Sequence, residues 1–225
     1  MSHISHGMEL LKRAWKLFLD LLFPLEENVE ELETMTVGRL TTEARQLERG
    51  REIPDSIILF EYQDPLIRTA IAEVKFRGNK KIANLLGKAI RDALLAELPD
   101  LHTFENFSRP LLVSVPMTGR SLRERGWDQC HLMLDSVVRD AETLGIEVRF
   151  DALRKIHETG DQVGKGRKER LENLTGSIEA DESIVRRRNI IVFDDVVTTG
   201  ATWTETKRAL RRAGARKVIL LAIAH

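Results

Sequence analysis

The stretch that most constrains the fold runs from Asn189 to Thr202 and reads NIIVFDDVVTTGAT. Its first part, Ile190 to Phe193, is apolar on both faces, which is typical of a strand buried inside a parallel sheet. Asp194 and Asp195 follow directly and are too polar to continue a buried strand. We therefore expect them at its carboxyl end, where open α/β sheets bind their ligands.

A loop of small residues follows the two acids and leads into a helical pattern from Glu205 to Ala213. It brings hydroxyls and unpaired backbone N–H groups to a helix N-terminus, an arrangement that binds phosphate. The loop is not a Walker A site, because no Gly-Lys-Ser/Thr follows Gly200, and it lacks the GxGxxG of a dinucleotide site. The predicted phosphate-binding residues are Thr198, Thr199, Gly200, Ala201 and Thr202.

The spacing of acids and loop suggests a particular ligand. A phosphate in the loop, with a diol reaching back to two carboxylates, describes a ribose 5-phosphate whose 2- and 3-hydroxyls donate to Asp194 and Asp195. The alternative is purely structural. Paired acids would then end a strand, and a Thr/Gly turn would merely start a helix.

Composition limits the number of domains and the class of partner. A chain of 225 residues can form one well-cored α/β domain with an appendage. Its 35 basic and 35 acidic residues balance, so no global charge attracts nucleic acid or anionic lipid. The single cysteine, Cys130, fits a reducing cytoplasm, and we expect it to be a small buried apolar residue. No apolar run approaches the ~20 residues that span a bilayer, so we expect no stable membrane insertion.

The N-terminal quarter differs from the rest. Met8 to Phe23 has the periodicity of an amphipathic helix, which we expect to dock onto its own domain or a second subunit, with a membrane surface as the alternative. Glu26 to Pro54 starts with an acidic block and is interpreted as linker and small appendage. The predicted domains are residues 1–56, an amphipathic helix with its linker, and residues 57–225.

The second domain has the alternating pattern of βα units, which predicts a parallel sheet. Its other strands are predicted at Ile57–Tyr62, Leu111–Val115, Ile146–Phe150 and Val218–Ile223. Helices are predicted from Pro65 to the Lys75–Gly78 turn, over Ile82–Leu98 and over Asp128–Leu144, with a loop over Pro99–Arg109.

Several clusters of cations could bind anions, and each has a plainer interpretation. Thr118, Gly119 and Arg120 follow a strand in a turn that can offer N–H groups and a guanidinium. Lys75 or Arg77 could contact phosphate, or could simply end a helix. The arginines of the last helix form either a solvated face or a nucleic-acid patch.

The segment from Leu153 to Asn173 is rich in glycine and cations and has no periodicity. It is either a solvated connection or a lid that closes over a polyanion. Arg154 and Lys155 lie at its start.

With these motifs in place, residues 57 to 225 resemble the ComF family of phosphoribosyltransferase-like proteins, which is associated in bacteria with DNA uptake. The resemblance rests on KFRG (Lys75–Gly78), VPMTGRSLRERGWDQ (Val115–Gln129), the series Arg154-Lys155, Thr159, Gln162, Arg170 and Asn173, and FDDVVTTGAT (Phe193–Thr202). The sequence departs from the family where an N-terminal zinc ribbon is common, because glutamates follow Leu21–Pro24. We therefore expect no zinc.

The resemblance implies a type I phosphoribosyltransferase-like fold, with a mostly parallel sheet flanked by helices and a helical N-terminal hood. It also implies binding of phosphoribosyl pyrophosphate (PRPP) with Mg²⁺ held mainly by substrate and water. The implied catalytic residues are Asp194, Asp195, Arg154 and Lys155, and the pyrophosphate would lie on Thr118, Gly119 and Arg120. No direct protein ligand to a metal is implied.

Two classes of function follow. One is a cytoplasmic glycosyltransferase of the pentosyltransferase type, with an acceptor that the sequence does not name. The other is a non-catalytic PRPP sensor or partner of the DNA-uptake machinery. A second copy of the chain is a further candidate partner, and a membrane-surface adaptor is a third interpretation.

Overall fold

The computed structural model describes residues 29–47, 53–156 and 176–225. Its strands are β1 (Ser56–Phe60), β2 (Leu111–Ser114), β3 (Glu147–Val148), β4 (Leu153–Lys155), β5 (Ile178–Ala180), β6 (Asn189–Val196) and β7 (Lys217–Ala224). Its helices are α1 (Val29–Thr34), α2 (Val37–Glu43), α3 (Pro65–Ala72), α4 (Lys80–Glu105), α5 (Gly119–Arg125), α6 (Gln129–Arg139), α7 (Glu182–Val185) and α8 (Ala201–Arg212). A π-helical turn, Glu73–Arg77, extends α3.

Five strands form one parallel sheet in the order β1-β7-β6-β2-β3. Within it β6 lies between β2 and β7, so that Phe193 is in register with both Ser114 and Leu221. β4 and β5 form a separate antiparallel ribbon. The predicted fold class, an α/β fold with a mostly parallel sheet flanked by helices, is confirmed.

The apolar run of β6 is buried because both faces of the sheet are covered. Ile191 and Phe193 pack into the core beneath α4 and α6, whereas Ile190 and Val192 pack into the core beneath α8 and the ribbon. Alternate side chains of a strand point to opposite faces, so a strand covered on both sides is apolar throughout. This burial fixes the register that brings the two acids to the sheet's carboxyl edge.

The predicted loop over Pro99–Arg109 is wrong for its first half, because α4 continues through Pro99 to Glu105. Proline removes only one helical hydrogen bond, from its own nitrogen. The apolar contacts of Leu98, which is buried, and Leu101, which is partly buried, compensate for the missing hydrogen bond and stabilise the helix beyond Pro99. It ends at Asn106, which adopts the left-handed conformation that favours asparagine or glycine.

Other predicted boundaries shift by a few residues. α6 ends at Arg139, before the predicted Leu144, and β3 covers only two residues of the predicted Ile146–Phe150. Upstream of the sheet, α1 and α2 pack on α4 through Leu32 and Leu40, which are fully buried. The predicted helix over residues 8–23 lies outside the described residues, and the domain boundary at residue 56 stays a prediction. Within the described ranges, no helix is long and apolar enough to cross a membrane.

Candidate functional site

The carboxyl end of β6 carries two adjacent acids at different depths. Asp194 is half-buried and Asp195 is 6% exposed. The Asp195 N–H donates to Asp194 Oδ1 at 2.9 Å, and the Val196 N–H donates to Asp195 Oδ1 at 3.0 Å. The remaining oxygen, Asp195 Oδ2, is buried and accepts no hydrogen bond from the described residues. Because a buried acceptor without a donor is costly, this atom is suited to a ligand hydroxyl.

The surroundings of Asp194 shift its ionisation. Burial, followed by the Asp195 carboxylate, raises the pKa of Asp194 well above its usual range. The ammonium of Lys75 acts in the opposite direction, and the Asp194 carboxylate in turn opposes the lowering of the Lys155 pKa by burial. The site therefore combines two adjacent carboxyl groups, whose negative charges repel each other, with two amines whose positive charges reduce that repulsion.

The predicted phosphate loop follows the acids and ends at the N-terminus of α8. The Val197 N–H donates to Ala224 O at 2.9 Å, which ties the start of the loop to β7. Gly200 has a φ of 71°, a left-handed conformation that glycine adopts without strain, and no side chain caps the helix there. The Ala201 N–H, the first of this 12-residue helix, donates to Thr199 Oγ1 at 3.4 Å, so the loop brings a hydroxyl and backbone N–H groups together at the helix N-terminus.

Arg154 and Lys155 are neighbours in β4, and the alternation of a strand sends their side chains to opposite sides. The Lys155 amine is half-buried and lies within electrostatic range of Asp194. The Arg154 guanidinium is exposed and forms an ion pair with Glu179 of β5 at 2.7 Å. It lines a cavity of about 540 Å³ between the ribbon and α8. The structure therefore brings Lys155, but not Arg154, to the acids.

The predicted pyrophosphate turn follows β2 at the same edge of the sheet, since the Val115 N–H donates to Phe193 O at 2.9 Å. Thr118 caps α5 by accepting from the Ser121 N–H at 3.0 Å. Gly119 and Arg120 begin that helix and are exposed, and Arg120 pairs with Glu124 at 2.8 Å. The turn thus lies next to the acids along the sheet edge, with its guanidinium held by a neighbouring carboxylate.

Two residues near the acids were not among the predicted catalytic residues: Lys75 was predicted either to contact phosphate or to end a helix, and Cys130 to be a small buried apolar residue. Lys75, in the π-helical turn, lies within electrostatic range of Asp194. Cys130, in the first turn of α6, is buried as expected, and burial, reinforced by Asp195 and Asp194, raises the pKa of its thiol well above the usual range. The motifs KFRG and RGWDQ contain or flank these residues, but sequence spacing does not show that they meet at β6.

Residues 157–175, which include most of the predicted lid and its Thr159, Gln162, Arg170 and Asn173, lie outside the described residues. In the part of the chain that the structure describes, no group of three or more His, Cys, Asp or Glu side chains is arranged to hold a metal ion. Among the described residues, the candidate site brings together two carboxylates, two amines and backbone N–H groups.

Two solved structures show a partial likeness to the chain. One is described as the allosteric regulatory enzyme of purine biosynthesis; the TM-score is 0.41 at 16% identity, covering 68% of this chain and 30% of that one. The other is a hypoxanthine phosphoribosyltransferase from Staphylococcus aureus, with a TM-score of 0.32 at 13% identity, covering 60% of this chain and 62% of that one.

No protein-family model matches the chain. It is 26% identical over 177 residues to competence protein F of Haemophilus influenzae, covering 75% of this chain and 71% of that protein. It is 26% identical to competence protein ComFC of Bacillus subtilis and 29% identical to DNA utilization protein YhgH of Escherichia coli K12. These matches cover 72% of this chain and 62% and 68% of the two proteins. The resemblance predicted from the motifs is thus confirmed, and the chain is a homologue of the proteins named competence protein F, ComFC and YhgH.

Proposed function

We propose that the carboxyl end of β6 binds a 5-phosphoribosyl group, as ribose 5-phosphate or as PRPP. The observation that carries the proposal is Asp195 Oδ2, a buried acceptor without a donor among the described residues, next to a phosphate-type loop. Ribose 5-phosphate carries adjacent ring hydroxyls and, on the exocyclic C5, a phosphate. It therefore supplies both a donor for the acids and an anion for the helix N-terminus.

In this arrangement the 2- and 3-hydroxyls donate to Asp194 and Asp195. The 5-phosphate accepts from the backbone N–H groups and hydroxyls of Thr198 to Thr202. Lys155 and the Thr118–Arg120 turn lie beside the acids, where they can neutralise the pyrophosphate of PRPP. Arg154 would have to leave Glu179 to reach the same group.

Magnesium would enter with the ligand. The described residues near the acids group too few metal-binding side chains for a protein-made site, so pyrophosphate oxygens and water would supply most ligands. When bound, Mg²⁺ neutralises the pyrophosphate. We assign neither acid as a direct metal ligand.

Transfer, if it occurs, forms a bond between the acceptor and ribose C1 as the bond from C1 to pyrophosphate breaks. The pyrophosphate leaves with the electron pair, and the ribose ring gains positive charge in the transition state. Cations beside the leaving group would stabilise that transition state more than the bound ligand.

Ligand-induced thermal stabilisation tests the binding proposal. Ribose 5-phosphate, and PRPP with Mg²⁺, should raise the melting temperature of the whole chain, because a ligand that binds only the folded state stabilises it. Replacing Asp194 and Asp195 together with Asn should remove most of that rise. The matched control replaces Glu147, at the amino end of the sheet, with Gln and should keep it. Equal responses of the two variants would contradict the assignment.

The second candidate function is a non-catalytic one, and the names of the relatives favour it, because they refer to competence and DNA utilization rather than to a reaction. A screen of nucleobases with PRPP and Mg²⁺, following pyrophosphate release, separates the candidates. Release that depends on an acceptor and on Lys155 supports transfer. Binding without release by any acceptor supports a PRPP sensor or DNA-uptake partner.

A further inference from the structure

A buried carboxylate joins α8 to the antiparallel ribbon. Glu205 lies in the second turn of α8 and is 4% exposed. Its Oε1 accepts at 2.7 Å from the N–H of Gly176, which leads into β5. The Arg208 guanidinium donates to both of its carboxylate oxygens at 2.8 Å. A buried carboxylate needs partners of this kind, and here one of them is the backbone of the ribbon.

The contact between helix and ribbon is ionic. Burial raises the pKa of the Glu205 carboxyl, but the Arg208 guanidinium and the Gly176 N–H act against burial, and the pKa is lowered overall. The hydroxyls of Ser177 and Thr206, the next residues on either side, are buried and have no hydrogen-bond partner among the described residues. They therefore do not take over the part that the carboxylate plays.

Glu205 contacts the ribbon close to Lys155. In the ribbon, Lys155 of β4 lies directly opposite Ile178 of β5. Gly176, whose N–H Glu205 binds, comes two residues before Ile178. The carboxylate thus acts on the end of the ribbon that carries Lys155.

Lys155 lies on the inner face of the ribbon. Directly opposite residues of an antiparallel pair share a face, and so do residues two apart in one strand. Ile178 lies opposite Lys155 and Leu153 precedes it by two residues, and both are buried in the core beneath α8. The ion pair of Arg154 with Glu179 occupies the other face. The place of the half-buried Lys155 side chain therefore depends on how the ribbon packs on α8.

We propose that Glu205 is a positioning residue that docks the ribbon on α8, and that it thereby fixes Lys155 relative to the phosphate loop at the N-terminus of the same helix. The first half of this inference concerns the protein without ligand. A two-stranded ribbon is only marginally stable in water, so its own hydrogen bonds depend on docking. The second half rests on the proposed function, in which the loop holds the 5-phosphate and Lys155 neutralises the pyrophosphate.

Amide hydrogen exchange in the ligand-free chain tests the docking. Glu205→Ala should speed exchange on the order of tenfold at the N–H groups of Ile156 and Asp181, which donate across the ribbon at 2.9 Å. The Val115 N–H, which donates to the central strand β6, should keep its rate. Such a result would show that the carboxylate holds the ribbon and not the sheet.

Two milder variants keep the test decisive if Glu205→Ala does not fold. Glu205→Gln keeps an acceptor for the Gly176 N–H but loses the ion pair, and Arg208→Met loses the same pair from the other side. Both should speed exchange of the ribbon by less. Glu43→Gln, which breaks an exposed pair with an arginine on α2, is the matched control. Unchanged exchange of the ribbon in Glu205→Ala, or in both milder variants, overturns the proposal, as does equal acceleration at Val115.

Titration calorimetry tests the positioning of Lys155. Glu205→Ala should weaken binding of PRPP with Mg²⁺ on the order of fivefold, and by no more than Lys155→Met does. It should leave ribose 5-phosphate, which has no pyrophosphate, nearly unchanged. In the Lys155→Met background the same substitution should cause no further loss, because the residue that Glu205 positions is already gone.

Additive losses in the double variant, or an equal loss for ribose 5-phosphate, would show that Glu205 acts on binding by another route, and either result overturns the second half. Absence of binding of both ligands by the wild-type chain would reject the proposed function together with that half. The exchange measurement needs no ligand, so it decides the docking of the ribbon separately.

Discussion

The two ends of β6 differ in how their charged groups are paired. At the amino end, the buried Asn189 amide donates to Asn106 O and Ser108 O, at 3.4 and 3.3 Å. The charges nearby are partly exposed and paired, as Arg188 is with Glu147 at 2.8 Å. At the carboxyl end two acids are adjacent, and one buried oxygen has no donor among the described residues.

The difference shows that the energetically unfavourable arrangement, two adjacent acids, lies at the carboxyl end of β6. Exposed ion pairs contribute little to the free energy of folding, and water solvates both partners, so no further protein group is needed to stabilise them. Adjacent acids of which one is half-buried and the other buried are destabilising unless something compensates them, and the proposed ligand would supply that compensation. Two arginines near the amino end, Arg211 and Arg212, lie in the last turn of α8, where cations are stabilising. The nucleic-acid patch stays an alternative prediction.

The largest expected effect comes from the glycine that shapes the phosphate loop. Gly200→Ala should abolish most of the ligand response, because a left-handed alanine strains the loop that aims its N–H groups. Gly145 is a matched control, since it also has positive φ, 65° against 71°, and open space where an added Cβ would stand. Each substitution should cost about 1–2 kcal/mol of folding free energy. Chemical denaturation and thermal shift with ribose 5-phosphate measure both effects, and loss of the response in Gly145→Ala would contradict the comparison.

The second effect is a gain in stability at the site itself. Asp194→Asn should raise the melting temperature of the ligand-free chain at neutral pH, by about 2–4 °C for each kcal/mol gained. The pKa of Asp194 is raised in the folded state, so below about pH 4 both states hold the proton and the acid has no cost. As pH rises, the unfolded state releases the proton first, and stability falls until the folded state releases it too.

The gain from Asp194→Asn should therefore grow from pH 4 towards pH 8. Glu147→Gln, at the opposite end of the sheet, serves as control and should give little gain at either pH. Melting curves at several pH values test this, and a gain that shrinks with pH would show that the acid is stabilising.

A third effect separates two neighbouring cations. Lys155→Met should weaken binding of PRPP on the order of tenfold, since a charge–charge interaction of about 1.4 kcal/mol is lost. Arg154→Met should leave binding of ribose 5-phosphate nearly unchanged, because its guanidinium pairs with Glu179 instead. Titration calorimetry of both variants measures the difference. If Arg154→Met has the larger effect on both ligands, the alternation of side chains in β4 does not describe the bound state.

The smallest effect belongs to the amino end. Arg188→Met breaks an ion pair whose side chains are 34% and 48% exposed, so it should cost less than about 1 kcal/mol. It should not change the ligand response. A loss of binding in this variant, measured by thermal shift, would show that the two ends of the sheet are coupled.

Sequence patterns predicted most of this fold because buried strands and helices have recognisable patterns of apolar residues in the sequence. The apolar run of β6, the acids that end it and the Gly200 loop each follow from local rules of strand and helix formation. The predicted sheet depends on the same short-range rules, whereas the helix α5, which Thr118 caps, was not predicted. Lys155 lies within electrostatic range of Asp194, and its role at the site stays a prediction.

What the sequence did not predict depends on contacts between distant segments. The continuation of α4 beyond Pro99 reflects tertiary burial that outweighs a local helix breaker. The π-helical turn, and the contact of Trp127 with Gly78, join segments that no periodicity relates. The opposite orientations of Arg154 and Lys155 follow from a two-stranded ribbon in a segment that was expected to be a loop.

Amide chemical-shift mapping in the intact chain tests the central claim most directly. On titration with ribose 5-phosphate, the largest shifts should occur at the N–H groups from Asp195 to Trp203, because the acids and the N-terminus of α8 hold the ligand. Arg187 and Gly214, at the other end of the sheet, should not move. Shifts concentrated at the amino end, or no shifts at saturating ligand, would contradict the account.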